Sequence, residues 1–311
     1  MDRSAKQAER RRVAFQKAVQ REAMLDASAQ AAREFDEIIE ALTGAHRKPP
    51  SLVNWTSTAS KSEAPVPERT SATEDAARRK AADYQPGWVT RVLKREARAR
   101  QALEDAVAAA RAADDQAHVA RKREVEDHNA SIRFARRVMA LEPDAMVEAL
   151  EQHSSLDDLP FSVEGLDTLF MDGRVVAVVE GLDLEDIPDQ SVSLLKSGKA
   201  SVKAIPIGRR HELHREAICS AAVRVALEYL AILPLEEIEV VMLADLLDRA
   251  SGHILAQPVL YLRTTKQALK TVNLERAEAG ALVERLGGHF EWTKRDGFRA
   301  INPAAFGIEL P

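Results

Sequence analysis

The feature that most constrains this chain is a proline-free run from Ala5 to Ala41, rich in Ala, Arg, Glu and Gln and poor in turn residues. These side chains lose little freedom in a helix and keep its surface soluble, so the run predicts a long charged helix over residues 1–45. Val13, Phe15, Val19, Met24, Leu25, Phe35, Ile38, Ile39 and Leu42 form a patchy apolar stripe with gaps. Such a stripe buries little, which predicts weak packing, pairing with another chain, or fraying. Gly44, then Pro49 and Pro50, supply the stop.

Residues 46–86 hold Pro49, Pro50, Pro65, Pro67 and Pro86 among Ser, Thr and charged residues. With no sustained periodicity, the segment reads as a flexible connector. A second long helix is expected over 87–141, from near Trp88 to Leu141, about 80 Å at the standard rise. Trp88, Val92, Val107, Ala110, Val119, Val125, Ile132, Ala135 and Val138 offer an interrupted seam. It is compatible with a coiled coil but not with a strict heptad.

Charge separates the two halves. Residues 1–140 carry 27 Lys and Arg against 21 Asp and Glu, whereas residues 141–311 carry 17 against 28. The acidic second half argues against a protein that simply coats nucleic acid. Within the second helix, Arg91, Lys94, Arg95 and Arg98 share one face, and Arg121, Lys122 and Arg123 form a second cluster. These seven are the candidate nucleic-acid-binding residues, through phosphate contacts whose affinity falls with salt. A solvated face paired to Glu96, Glu104 and Asp105 accounts for the same pattern.

Pro143 forces a new start, and residues 142–311 have the composition of a compact α+β domain. A short helix is expected over 144–152, then a strand at Phe161 and Val163. A hairpin follows, with Thr168–Phe170 and Val175–Val179 joined by the Asp172–Gly173 turn. A second strand pair flanks Ser197–Gly198–Lys199. Helical spacing then runs from Arg209 to Ile232 and offers the organising helix of the core. Apolar strands at Ile238–Leu243 and Pro258–Leu262 flank a turn at Ser251, Gly252 and His253. Short helices at 266–272 and 277–286 and a hairpin through Arg295, Asp296 and Gly297 complete the pattern. Strands in runs suggest an α+β sheet rather than an alternating Rossmann unit.

No set of residues makes a complete catalytic constellation. His211-Glu212-Leu213-His214 offers two metal ligands, but Glu212 is not where a His-Glu-x-x-His site needs its base, and a third ligand is missing. Cys219, the one cysteine, excludes a disulfide framework and reads as a packed thiol. Gly165, Gly173, Gly181, Gly198 and Gly208 stand alone, with no phosphate-cradling run. Ser251-Gly252-His253 is not a nucleophile elbow. Asp167, Asp172, Glu180, Asp183, Glu185 and Asp186 read as turn residues around the first hairpin. No cofactor is implied. No early apolar stretch or span of about 20 apolar residues occurs, so a cytoplasmic protein without membrane contact is expected.

His128-Asn129 in the second helix, Glu142-Pro143-Asp144-Ala145 at the next helix start, and Leu169 to Glu180 across the first hairpin form an ordered series. Val259 to Lys266 and Leu282 to Gly288 extend it. In this order the chain resembles the N-terminal accessory region of bacterial restriction-endonuclease-like proteins: a charged coiled coil, a proline-bearing connector, a second long helix and a sheet module. The resemblance implies a separate nuclease domain downstream, which holds Mg²⁺ with a carboxylate and a Glu/Gln-x-Lys element. Here the chain ends at Pro311, and Glu291-Trp292-Thr293-Lys294 has the wrong spacing. The expectation is therefore a non-catalytic accessory or scaffold component of a DNA-restriction or phage-defence assembly. Its partners would be itself or another bacterial defence protein. Direct, largely non-specific DNA or RNA binding is the alternative, and a metal-dependent enzyme with an unrecognised site is the third reading.

Overall fold

A computed structural model describes residues 3–87, 95–156, 164–171, 173–248 and 251–309, with side chains from Gln20 onward except Glu164. The protein is mixed helix and sheet and divides into two compact units, residues 1–53 with 146–311, and residues 54–145. The first helix, expected over residues 1–45 apart from the compact α+β domain of 142–311, thus belongs to the same unit as the sheet. The reason lies just past its end. Ala45, His46 and Arg47 form a 3-10 turn, and His46 is fully buried against the central helix of that unit.

In the sheet-containing unit, α1 (Arg3–Thr43) comes first and α5 (Pro143–His153) leads into the sheet region. A six-stranded sheet has the order β1-β2-β5-β6-β7-β8, with β1 at Glu164–Met171, β2 at Arg174–Glu180, β5 at Glu237–Leu247, β6 at Ile254–Thr265, β7 at His289–Thr293 and β8 at Gly297–Arg299. Every pairing is antiparallel except β2 with β5. A parallel pair needs a long crossover, which here carries the two-stranded β3–β4 hairpin (Gln190–Leu194, Ala200–Ala204) and α6 (Ile207–Ile232). Phe161 and Val163, expected as a strand, lie outside the described residues.

From Ala217 to Ile232, α6 is buried almost all round, as a helix must be when it has layers on both sides. One side meets β5 and β6. The other meets α1, the 45–47 turn and α7 (Ala279–Arg285). The opposite sheet face carries Val176, Val178, Val241 and Tyr261, closed by Ile301 and Ile308 from the C-terminal segment. Alternating side chains of β2 and β5 feed the two cores, which is why Val175–Val179 and Val240–Ala244 read as unbroken apolar runs.

The second unit is built on α4 (Glu96–Met139), a helix of 44 residues. The described helix begins at Glu96, and Trp88, Arg91, Val92 and Lys94, around the expected onset, lie outside the described residues. The 46–86 segment, expected as a connector without regular structure, contains α2 (Trp55–Ala59) and α3 (Ala72–Ala82), both packed along α4. Sequence periodicity misses this because side chains of α4 hold the intervening chain by its backbone. Asn129 donates to Ala64 C=O and accepts from Ala64 N–H, both at 2.8 Å. Arg136 donates to the carbonyls of Ala59 and Lys61. Asp114 accepts from the N–H groups of Thr73 and Glu74, an N-cap for α3 supplied by another helix. Those bonds, that from Glu74 first, hold its carboxyl below the ordinary range. The helix ends in a Schellman turn with Leu141 at φ 58°, a left-handed position usually held by glycine.

Candidate functional site

The basic face expected on α4 is partly engaged in holding its own unit. Arg121 donates to Thr70 Oγ1 at 2.9 Å, and Lys122 pairs with Glu126 at 3.7 Å. Arg95, Arg98 and Arg123 are exposed, and none has an ion pair among the described residues. At 100° per residue, Arg98 and Arg123 fall within about 20° of one face and roughly 38 Å apart along the axis. The unit as a whole carries 17 Lys and Arg against 15 Asp and Glu, so its field is weakly positive at most.

His211 and His214 do lie on one face of α6, but the fold turns each to a different carbonyl. His211 Nδ1 meets Lys294 C=O at 3.0 Å, and His214 Nε2 meets Leu182 C=O at 2.7 Å with Phe298 edge-on to its ring. Glu212 lies between Lys294 and Arg209, which hold its carboxyl below the ordinary range, Lys294 first. The fragment thus fastens the β7–β8 turn and the loop after β2 to α6. Burial pushes the His214 imidazole down and the Cys219 thiol well up. Among the described residues no group of three His, Cys, Asp or Glu is placed to hold a metal ion. Of the acidic residues around the first hairpin, Asp183 and Asp186 form a capping box for the 184–186 turn; Asp172 lies outside the described residues.

Two buried polar clusters escape sequence reading, because their members come from distant strands or from an apolar helix face. On the α6 side, Glu228 is fully buried and accepts from Ser155 N–H and Oγ, while Arg224, 4% exposed, donates to the same Oγ at 2.7 Å. Arg224 Nη2 lies 2.8 Å from Glu228 Oε2, yet that oxygen and Arg224 Nε and Nη1 have no aligned hydrogen-bond partner. The attraction there is Coulombic. On the other sheet face, Arg174 grips the buried Glu239 with Nε and Nη2, and Tyr261 donates to Glu239 at 3.1 Å. Burial, with Glu239 second, pushes the Tyr261 phenol up to about 12. Phe306 stacks on Tyr261 at 4.1 Å between centroids, and its carbonyl accepts from Arg174. With a guanidinium and a phenol already on it, Glu239 is a structural acceptor rather than a base.

One strand edge remains open. β2 reaches only to Leu243 of β5, and β7 only to Leu260 and Tyr261 of β6. Beyond those points β5 and β6 continue as a two-stranded ribbon whose far end exposes Leu247 (61%), Ile254 (60%) and Leu255 (50%). A cleft of about 500 Å³ opens on one side of the ribbon, between Leu246 and Gln257 and the β8 segment Phe298–Ala300. A turn reading of 251–253 locates the hairpin but not its reach, because the strands run several residues past the apolar stretches that mark them. No protein-family model, no curated protein and no solved structure matches this chain.

Proposed function

We propose that the protein is an accessory or scaffold component of a bacterial DNA-restriction or phage-defence assembly, without chemistry of its own. The observation that carries the scaffold reading is the β5–β6 ribbon. Large apolar side chains stand exposed at the end of a sheet, whereas His211, His214 and Cys219 on the helix beside it are held in packing contacts. Exposed clusters of this kind mark docking sites, whereas single exposed residues do not. The defence setting rests on the ordered resemblance to accessory regions of restriction-endonuclease-like proteins. The self-association arm of the proposal rests on α4, long enough at about 66 Å to support a coiled coil.

Native mass spectrometry of the endogenous protein, at moderate and high salt and with or without nuclease, tests this. A protein complex that survives nuclease is expected. A lone monomer under every condition refutes the reading.

Direct nucleic-acid binding is the second reading, favoured by Arg95, Arg98 and Arg123 standing exposed with no ion pair among the described residues. It expects DNA or RNA affinity that falls steeply with salt and weakens when Arg98 and Arg123 are both replaced by Gln. Salt-independent retention refutes it.

A further inference from the structure

The β3–β4 hairpin is a sheet of its own, two strands outside the six-stranded one. Its turn is the three-residue loop Lys196-Ser197-Gly198. Gly198 N–H donates to Leu195 C=O and Leu195 N–H to Lys199 C=O, both at 2.9 Å, and Gly198 takes the left-handed position at φ 79°. Val192 opposite Val202 and Leu194 opposite Ala200 share one face, while Ser191 opposite Lys203 and Ser193 opposite Ser201 share the other. A two-stranded hairpin is stable only when its apolar face packs on something. Here the cover is partial. Leu25 of α1 reaches the turn, within 3.0 Å of where a Cβ on Gly198 would stand. Leu194, Leu195, Val202 and Ile207, the first residue of α6, all remain about half exposed.

The charge of this segment is one-sided. From Gln190 to Arg210 there is no acidic residue and no aromatic. Lys196, Lys199 and Lys203 are exposed, and none has an ion pair among the described residues. Asp189 stands at the base of the hairpin, and Glu22 and Asp26 flank Leu25 on α1, yet none of them is paired with a hairpin lysine. Arg209 and Arg210 are engaged, with Glu212 and with the carbonyls of Leu184 and Ile187.

The interleaving of leucine and lysine decides between anionic partners. Nucleic acid would meet the lysines but give the leucines nothing to bury against, and no aromatic is present to stack on a base. A folded acidic protein would have to dehydrate Lys196 and Lys199 together with Leu194 and Leu195, because they lie within a few residues of one another. A lipid interface separates the two by depth. Leucine side chains enter the acyl boundary while lysine stems extend outward and leave their ammonium groups among the headgroups.

We propose that the tip of the β3–β4 hairpin binds peripherally to an anionic lipid surface. Leu194, Leu195 and Val202 enter the headgroup region, and Lys196 and Lys199 meet the lipid anions, with Lys203 adding to the attraction. Apolar insertion and charge act together, since either signal alone gives weak binding. This is contact with one leaflet and not a span; among the described residues no helix is long and apolar enough to cross a membrane. The site does not depend on the accessory reading.

The test is co-sedimentation of the full-length protein with vesicles of phosphatidylcholine alone and of equal parts phosphatidylcholine and phosphatidylserine. Binding to the mixed vesicles is expected, falling with salt and at least about tenfold weaker to phosphatidylcholine alone. Leu194→Ser with Leu195→Ser is expected to weaken it at least about tenfold, and Lys196→Gln with Lys199→Gln as much. Circular dichroism and an unchanged melting temperature establish that the variants fold. No binding to the mixed vesicles overturns the inference. Binding that both variants retain also overturns it, since the contact then lies elsewhere, as does a leucine variant that binds like wild type, since nothing is then inserted. Duplex DNA or polyglutamate bound in place of the vesicles, and released by the lysine substitutions, overturns it by making nucleic acid or an acidic protein the occupant.

Discussion

Replacing Arg224 by Met tests whether the buried pair on α6 is a stabilising contact or a cost already met elsewhere. Arg224 and Glu228 are both removed from water, at 4% and 0% exposure, and share Ser155. Arg224→Met leaves Glu228 as a lone buried carboxylate held only by Ser155, and a broken buried pair costs about 3–5 kcal/mol. Glu228→Leu leaves the guanidinium lone, with burial already pushing its pKa down, and costs a similar amount. Replacing both together removes two desolvation penalties. Its main loss is the acceptor of Ser155 N–H, about 1–3 kcal/mol. The double variant is therefore expected to lie within about 3 kcal/mol of wild type, against roughly 6–10 if the two losses added. Urea unfolding followed by hydrogen exchange at α6 amides reads the sheet-containing unit without confusion from the other. A loss below about 1 kcal/mol for Arg224→Met, or additive losses in the double variant, refutes the argument.

Three further expectations follow from local geometry. Burial is the main cause holding the imidazoles of His46 and His214 below the ordinary 6.5, so the unfolded chain takes up protons first as pH falls. Stability from both is complete above about pH 6.5 and declines below it; melting temperatures that stay flat from pH 7 to 5 refute this. Leu141 holds φ 58° while 46% exposed, so Leu141→Gly relieves left-handed strain with little packing lost. A gain of about 1 kcal/mol in the helical unit is expected by denaturant unfolding, and a loss refutes it. Asn129→Ala removes both bonds to Ala64. A cost of about 1–3 kcal/mol is expected, with faster hydrogen exchange at Ala64, and unchanged exchange counts against the clamp.

Local patterning reads well wherever an element declares itself through its own side chains. The Asp-Gly turn before Arg174, the apolar alternation of the β3–β4 hairpin and the helical spacing from Arg209 to Ile232 each correspond to an observed element. Reading fails where a distant side chain supplies what the segment lacks. Residues 60–71 have no core of their own, yet Asn129, Arg136 and Arg121 on α4 hold their backbone and Thr70. The same holds for Glu239, whose place in a strand between Ile238 and Val240 gives no hint that Arg174 and Tyr261 close on it.

For function the consequence is that residue type misdirects. His211, His214 and Cys219 have the chemistry that sequence reading seeks, and all three are held by packing and backbone carbonyls. The features left available are a charge-free strand edge and a few exposed leucines and isoleucines. Composition does not mark these, because the same residues in the middle of a sheet would be core. Their meaning comes from where pairing stops, at Leu243 on one side and Leu260 on the other. Register, rather than any reactive side chain, is therefore what leaves Ile254 and Ala256 without a strand partner on their outer side among the described residues.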